Sequence, residues 1–296
     1  CMFTMMNNAR LAVGMQGVAI AEAAFQKALA YAQERRQGRA DEDTSGQMSP
    51  IVLHADIRRT LLTMQALTRA ARAISYSCAH AIDMARVSEG DEARRWQERA
   101  GLLTPVAKAF STDIGVEVAS MGVQVHGGMG YIEETGAAQL LRDARIAPIY
   151  EGTNGIQAID LVVRKLPLSG GEQVKGYIDE LRADIEALRT SNMPGLGRSA
   201  ERLARSLDDL SSATGWMLRA LSDGRTSEAL AGATPYLRLF ALVAGGAYLA
   251  RAAVVSGSGG KAALCRFFAE NLAPETAALK DQVVEGAESL AAAEIA

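Results

Sequence analysis

Histidine and cysteine are scarce in this chain, three of each in 296 residues. His54, His80 and His126 stand at unrelated spacings, so the expected set of metal ligands is none. Cys1, Cys78 and Cys265 form no CxxC pair, which argues against a disulfide framework and a zinc site alike. Scattered free thiols suit a reducing, cytoplasmic compartment. Aromatic residues make up only 5% and long Val/Ile/Thr alternations are missing, so a β-sheet is not expected. There is no excess of positive charge either. The formal net charge is −3 and bases alternate with acids, which speaks against nucleic acid or an anionic membrane as a partner. Long unbroken apolar runs are also absent. The longest, "LRLFALVAGGAYLARAAVV", is interrupted by Arg238, a glycine pair and Arg251, so neither a membrane span nor a signal peptide is expected.

What is present has a helical period. Val18, Ala21, Phe25 and Leu29 step by three or four, as do Ile57, Leu61, Met64 and Leu67. The spacing predicts helices at about 3–36, 51–88, 92–122, 135–144 and 153–166, then an all-α continuation that includes one helix over 226–256. A composition shift at "PLSGG" divides the chain into helical units of residues 1–167 and 168–296. Because the chain opens inside a helical pattern, it is expected to be a fragment of something longer.

Three stretches could carry chemistry. In "IYEGTNGIQ", Glu151 stands just before a helix that Thr153 or Asn154 would cap. One reading is a first-turn acid favouring the helix dipole. The other is a general base: Gly152 removes bulk beside it, while Ile146, Ile149 and Tyr150 supply an apolar wall that disfavours the carboxylate's charge. The free N–H of Glu151 could then stabilise an enolate oxygen. In "VQVHGGMGY", paired glycines allow a flat or phosphorylated ligand close to the backbone beside Gln124, or merely a tight turn. In "ERRQGR", three arginines and Gln37 either settle a helix C-terminus or hold a pyrophosphate.

Taken in order, Q-x-x-GG-x-GY, RDAR and IYEGT form a combination that strongly resembles the C-terminal helical domain of acyl-CoA dehydrogenases. The resemblance covers about residues 3–166. It implies an FAD-dependent enzyme making trans-2-enoyl-CoA from acyl-CoA, with Glu151 as the general base. It further implies FAD contacts at Arg35, Gln37, Gln124, Gly128, Thr153 and Asn154, and acyl-CoA contacts at Arg10, Tyr150 and Gly152. Arg35, Gln37, Gln124 and Gly128 match positions that reach the FAD of a neighbouring subunit, so a homo-oligomer is implied. An electron-transfer flavoprotein is the implied acceptor; an acyl-CoA oxidase parent is the alternative. Another alternative is that this stretch by itself is a non-catalytic helical assembly module. Two departures stand out. The family's R-x-x-F-G reads "RRQGR" here, and the N-terminal helical and middle β-domains are missing. The helical extension after residue 167 resembles a bacterial subgroup that includes 3-methylthiopropionyl-CoA dehydrogenases.

Overall fold

A computed structural model describes residues 2–41, 43–44 and 46–294, so Cys1 lies outside the described residues. The chain is all-α. Its long helices are α1 (Met2–Glu34), α2 (Ala55–Val87) and α3 (Gly90–His126), followed by the shorter α4 (Gly128–Tyr131), α5 (Ala137–Ala144) and α6 (Asn154–Asp160). Then come α7 (Glu172–Thr190), α8 (Ser199–Ser222), α9 (Thr226–Ala231), α10 (Ala233–Ser256), α11 (Gly259–Asn271) and α12 (Glu275–Ala292). Among the described residues the only β-type pairing is a single bridge between Arg36 and Pro50.

The first layer is α1, α2 and α3 packed side by side. Small residues on α1 recur at the helical period (Gly14, Gly17, Ala21, Ala24, Ala28, Ala32) and all are buried. They let two backbones approach. A Cβ built on Gly17 would sit 2.2 Å from the Ser111 carbonyl oxygen, and one on Gly14 would sit 2.7 Å from that of Ala107. Helix α3 is therefore buried all round from Ala100 to Thr112, and whatever polar group it carries there is forced inward.

Helix α10 lies at the centre of the second half and packs on α2, α3 and α6 as well as on α7, α8, α11 and α12. By length and composition it could cross a membrane, yet 72% of its apolar window is buried inside this fold, as befits a core helix. Polar struts join the halves. Arg238 of α10 bonds Glu117 of α3 at 2.5 Å and Glu275 of α12 at 2.6 Å. Arg99 grips Glu180 through both guanidinium nitrogens, at 2.7 and 2.6 Å.

The helix expected over 226–256 is two helices, α9 and α10, with Gly232 between them. Gly232 runs close against α12: an added Cβ would lie 3.1 Å from Val283 O. The stretch expected as a helix over 153–166 is α6 followed by a wider π turn, Leu161–Lys165.

Candidate active site

Glu151 stands in a turn between α5 and α6 that tertiary contacts hold in an unusual backbone conformation. The turn is closed by Tyr150 N–H on Ile146 O (3.2 Å) and Asn154 N–H on Pro148 O (3.0 Å). Inside it Glu151 has φ 56° and Gly152 has φ 81°. A non-glycine residue in the left-handed region costs about 1–2 kcal/mol, and such strain persists only where the surroundings over-determine it. Gly152 favours glycine by its positive φ, and a Cβ there would fall 2.9 Å from Gln157 Nε2, so that amide would have to give way. Thr153 is the N-cap of α6, its Oγ1 accepting from Ile156 N–H at 3.3 Å.

Beneath the turn lies a buried polar cluster. Lys108 of α3 has no exposed surface, and its Nζ donates to Gly152 O and to Asn154 Oδ1, each at 2.9 Å. Asn154 Nδ2 in turn donates to Asp113 Oδ1 at 2.7 Å and lies 3.1 Å from Ala109 O. Burial pushes the Lys108 ammonium down to about 8, and nearby Arg10 adds to the fall; Asp113 and Glu151 pull the other way. Burial likewise raises Asp113 above the usual carboxylate range, against its bond from Asn154. Gln157 is fully buried, and its Nε2 reaches the carbonyls of Glu151 and Gly152 at 3.3 Å each.

Helix α1 closes the near side. Tyr150 Oη donates to Gln16 Oε1, and Arg10 pairs with the buried Asp160 of α6 at 3.2 Å. Arg10 Nε and Gln157 Oε1 are buried without a hydrogen-bond partner among the described residues. The outer side is open. Glu151 is exposed, and its carboxylate and N–H make no hydrogen bond among the described residues. The apolar wall expected from Ile146 and Ile149 does not close over it, since these side chains are 56% and 50% exposed. Both stand in the turn that follows α5.

The glycine loop and the arginine-rich helix end meet elsewhere. Arg35, Gln37, Gln124 and Gly128 line one groove of about 760 Å³ together with Tyr31, His54 and His126. Its floor is built locally. His126 stacks on Tyr31 with ring centroids 4.5 Å apart and its Nδ1 bonds Gly122 O at 2.6 Å. His54 Nε2 bonds Gln37 O at 2.7 Å. The lining holds a guanidinium, two side-chain amides and no carboxylate, a donor set that fits a pyrophosphate-bearing group of cofactor size. Gly127 and Gly128 leave the approach clear, since a Cβ on either would meet nothing within 4 Å. Lys108 and Gln124 are 124 − 108 = 16 residues apart on α3, which is about 24 Å of helix. The turn and the groove are separate places.

So the structure gathers Arg10, Tyr150, Glu151, Gly152, Thr153 and Asn154 at the turn, and the other four predicted residues at the groove. The side chains of Thr153 and Asn154 are engaged within the protein, by the cap and by the Lys108 cluster. Lys108, Asp113, Gln16 and Gln157 were not singled out by the sequence. Lys108 did carry a signal: it is the only charged residue between Arg99 and Asp113.

The helical bundle thus bears an exposed carboxylate on a strained turn next to a glycine and, well apart from it, a groove lined by donors. The family profile described as acyl-CoA dehydrogenase, C-terminal domain, matches residues 1–166, and the chain belongs to that family. A second profile, acetyl-CoA dehydrogenase C-terminal like, matches residues 177–294. The 3-methylmercaptopropionyl-CoA dehydrogenase of Ruegeria pomeroyi is 39% identical over 99% of this chain and 52% of its own length. Among solved structures, Caenorhabditis elegans ACDH-11 in complex with C11-CoA has a TM-score of 0.74 at 21% identity, over 95% of this chain and 47% of that one. An acyl-CoA dehydrogenase from Bacillus anthracis complexed with FAD has a TM-score of 0.73 at 18% identity, over 96% and 50%. The chain spans about half the length of these relatives.

Proposed function

We propose that this chain supplies the base-bearing half of an FAD-dependent acyl-CoA dehydrogenase, with Glu151 as the general base. The observation that supports this most is the Glu151–Gly152 turn, which holds a free carboxylate and an unspent N–H on one strained, exposed corner. Glu151 takes the proton from Cα of the acyl chain, and the electron pair left behind forms the double bond to Cβ. The N–H of Glu151 donates to the thioester carbonyl oxygen, where negative charge develops. Gly152, without a side chain, leaves room for the acyl chain, and Arg10 and Tyr150 hold the near wall through Asp160 and Gln16. When bound, FAD supplies the acceptor for the β-hydride. Arg35, Gln37, Gln124 and Gly128 would hold the pyrophosphate region of a neighbouring subunit's FAD, which makes the working form a homo-oligomer.

The substrate reading is an acyl-CoA, with 3-methylthiopropionyl-CoA or a medium to long chain as the candidates; the named activity of the Ruegeria pomeroyi relative supports the first. An electron-transfer flavoprotein in the cytoplasm is the proposed acceptor. Residues 1–167 would carry the chemistry and 168–296 would buttress them. The test is Glu151→Gln in the full-length protein. Flavin reduction should slow by about a hundred- to ten-thousandfold while acyl-CoA still binds, because the amide keeps the shape but cannot take a proton. Reduction at the parental rate would remove Glu151 from the role.

A further inference from the structure

We propose that Lys108 is a positioning residue: it grips the Gly152 carbonyl from inside the bundle and so holds Glu151 in its left-handed conformation. The inference rests on the reading of Glu151 as the base and adds the device that places it. Lys108 sits in "PVAKAF", where its neighbours Val106, Ala107, Ala109 and Phe110 are core residues. A lysine is retained in such a place only if its ammonium finds acceptors. The acceptors it finds are unusual. Both belong to the Glu151 turn and its helix start, Gly152 O and Asn154 Oδ1, and neither is a carboxylate.

This geometry constrains the turn from one side only. The carbonyl of Gly152 fixes the plane of the 152–153 peptide, and Asn154 is itself anchored on Asp113 and Ala109 of α3. Gln157 Nε2 reaches the two turn carbonyls at the longer distance of 3.3 Å. The face of the turn that carries the Glu151 carboxylate is left open. Without the ammonium, the Gly152 carbonyl loses its shortest bond and keeps only the 3.3 Å contact from Gln157. Asn154 N–H on Pro148 O is then left to hold Glu151 away from the ordinary φ regions, with no short grip from inside the bundle on the carbonyl that follows it. A merely space-filling Lys108 would contribute packing of its methylene stem and would not care which acceptor its head met.

The experiment uses the full-length, flavin-loaded protein with three substitutions at position 108 or its partner. Amide exchange in the 149–155 segment is measured alongside steady-state kinetics. Lys108→Met keeps the stem and removes the donors, so exchange in that segment should quicken roughly tenfold or more, while the 124–129 groove segment stays unchanged. In the same variant kcat should fall about tenfold or more, with KM for acyl-CoA changed less than about threefold. Lys108→Arg, which restores a charged donor, should recover most of both losses. If Lys108→Met does not fold by circular dichroism, Asn154→Ala removes one of the two acceptors and should quicken exchange in the same segment. Parental exchange rates in a folded Lys108→Met, or in Asn154→Ala when Lys108→Met does not fold, overturn the proposal. Glu151→Gln separates the two readings, since it should abolish flavin reduction with turn exchange unaltered. If it left reduction intact while Lys108→Met loosened the turn, the clamp would stand and the base assignment would fall.

Discussion

The turn around Glu151 and the groove around Gln124 are built by opposite means. The turn is over-determined from within: a buried ammonium, a buried glutamine and an inward-facing asparagine hold a backbone conformation that the local sequence disfavours. The groove is under-filled from within: two glycines and long surface side chains leave a space whose floor is a histidine stacked on a tyrosine. A corner that must place a proton acceptor needs its atoms fixed to a fraction of an ångström. A groove that holds a long polar ligand needs charge and room. The same helix, α3, serves both by burying Lys108 midway and ending in glycines.

Gly152→Ala attacks the turn where it is least tolerant. The alanine Cβ would meet the buried Gln157 Nε2 at 2.9 Å with φ at 81°, so the Gln157 amide must leave the turn carbonyls or the strained turn must shift. Turnover should fall about a hundredfold and stability by about 1–3 kcal/mol, read by flavin reduction and urea unfolding. Unchanged turnover would show that the turn is not the working corner.

The next effect is a pH dependence that belongs to the turn alone. Lys108 sits near 8 when folded and near 10.4 when unfolded. Below pH 8 both states are protonated and folding carries the full cost of the buried charge. Between those two values the unfolded chain binds more protons than the folded one, so stability rises with pH. The parent should therefore gain on Lys108→Met by about 1 kcal/mol or more from pH 7.5 to 9.5, measured by urea unfolding at each pH. A difference flat in pH would mean that Lys108 is already neutral, or never desolvated.

The helical period showed most of the fold because burial in an all-α chain follows the same three- and four-residue spacing that the eye can count. Gly232 escaped that count. A glycine inside an apolar helical run is tolerated often enough to be read through, and the break depends on Val283, some fifty residues later in the chain. The site was legible in unequal parts. Adjacent residues singled out Glu151 and Gly152 but left Glu151 open between a helix-start acid and a base, and the resemblance supplied the choice. Arg35 and Gln124 come from segments that no local pattern brings together, and only the resemblance joined them. Lys108 was hidden because a residue's burial is decided by its neighbours in space, here the close approach of α1 at Gly14 and Gly17 and the return of α6. Asn154 is a cofactor contact only by the resemblance, and nothing in its local sequence told that its side chain bonds Asp113.

Arg35→Met tests the groove. The methionine keeps the length of the side chain and removes its charge and forked donors, so affinity for FAD should fall about tenfold, close to 1.4 kcal/mol, with amide exchange at 149–155 unaltered. A loss of exchange protection at the turn would show that the two places are mechanically one.

The smallest expected effect sharpens the comparison most. Gly128 has an ordinary negative-φ backbone at the start of α4, and a Cβ there meets nothing within 4 Å. Gly128→Ala should therefore leave stability unchanged or raise it by about 0.5 kcal/mol, through the reduced freedom of the unfolded chain. The added methyl points into space that belongs to the groove or to solvent, so any penalty must be read in ligand affinity. A variant that is as stable as the parent yet binds FAD more weakly would place the glycine's value in the groove. One that loses stability would mean that the loop, like the Glu151 turn, is held by contacts from within, and the contrast between the two regions would disappear.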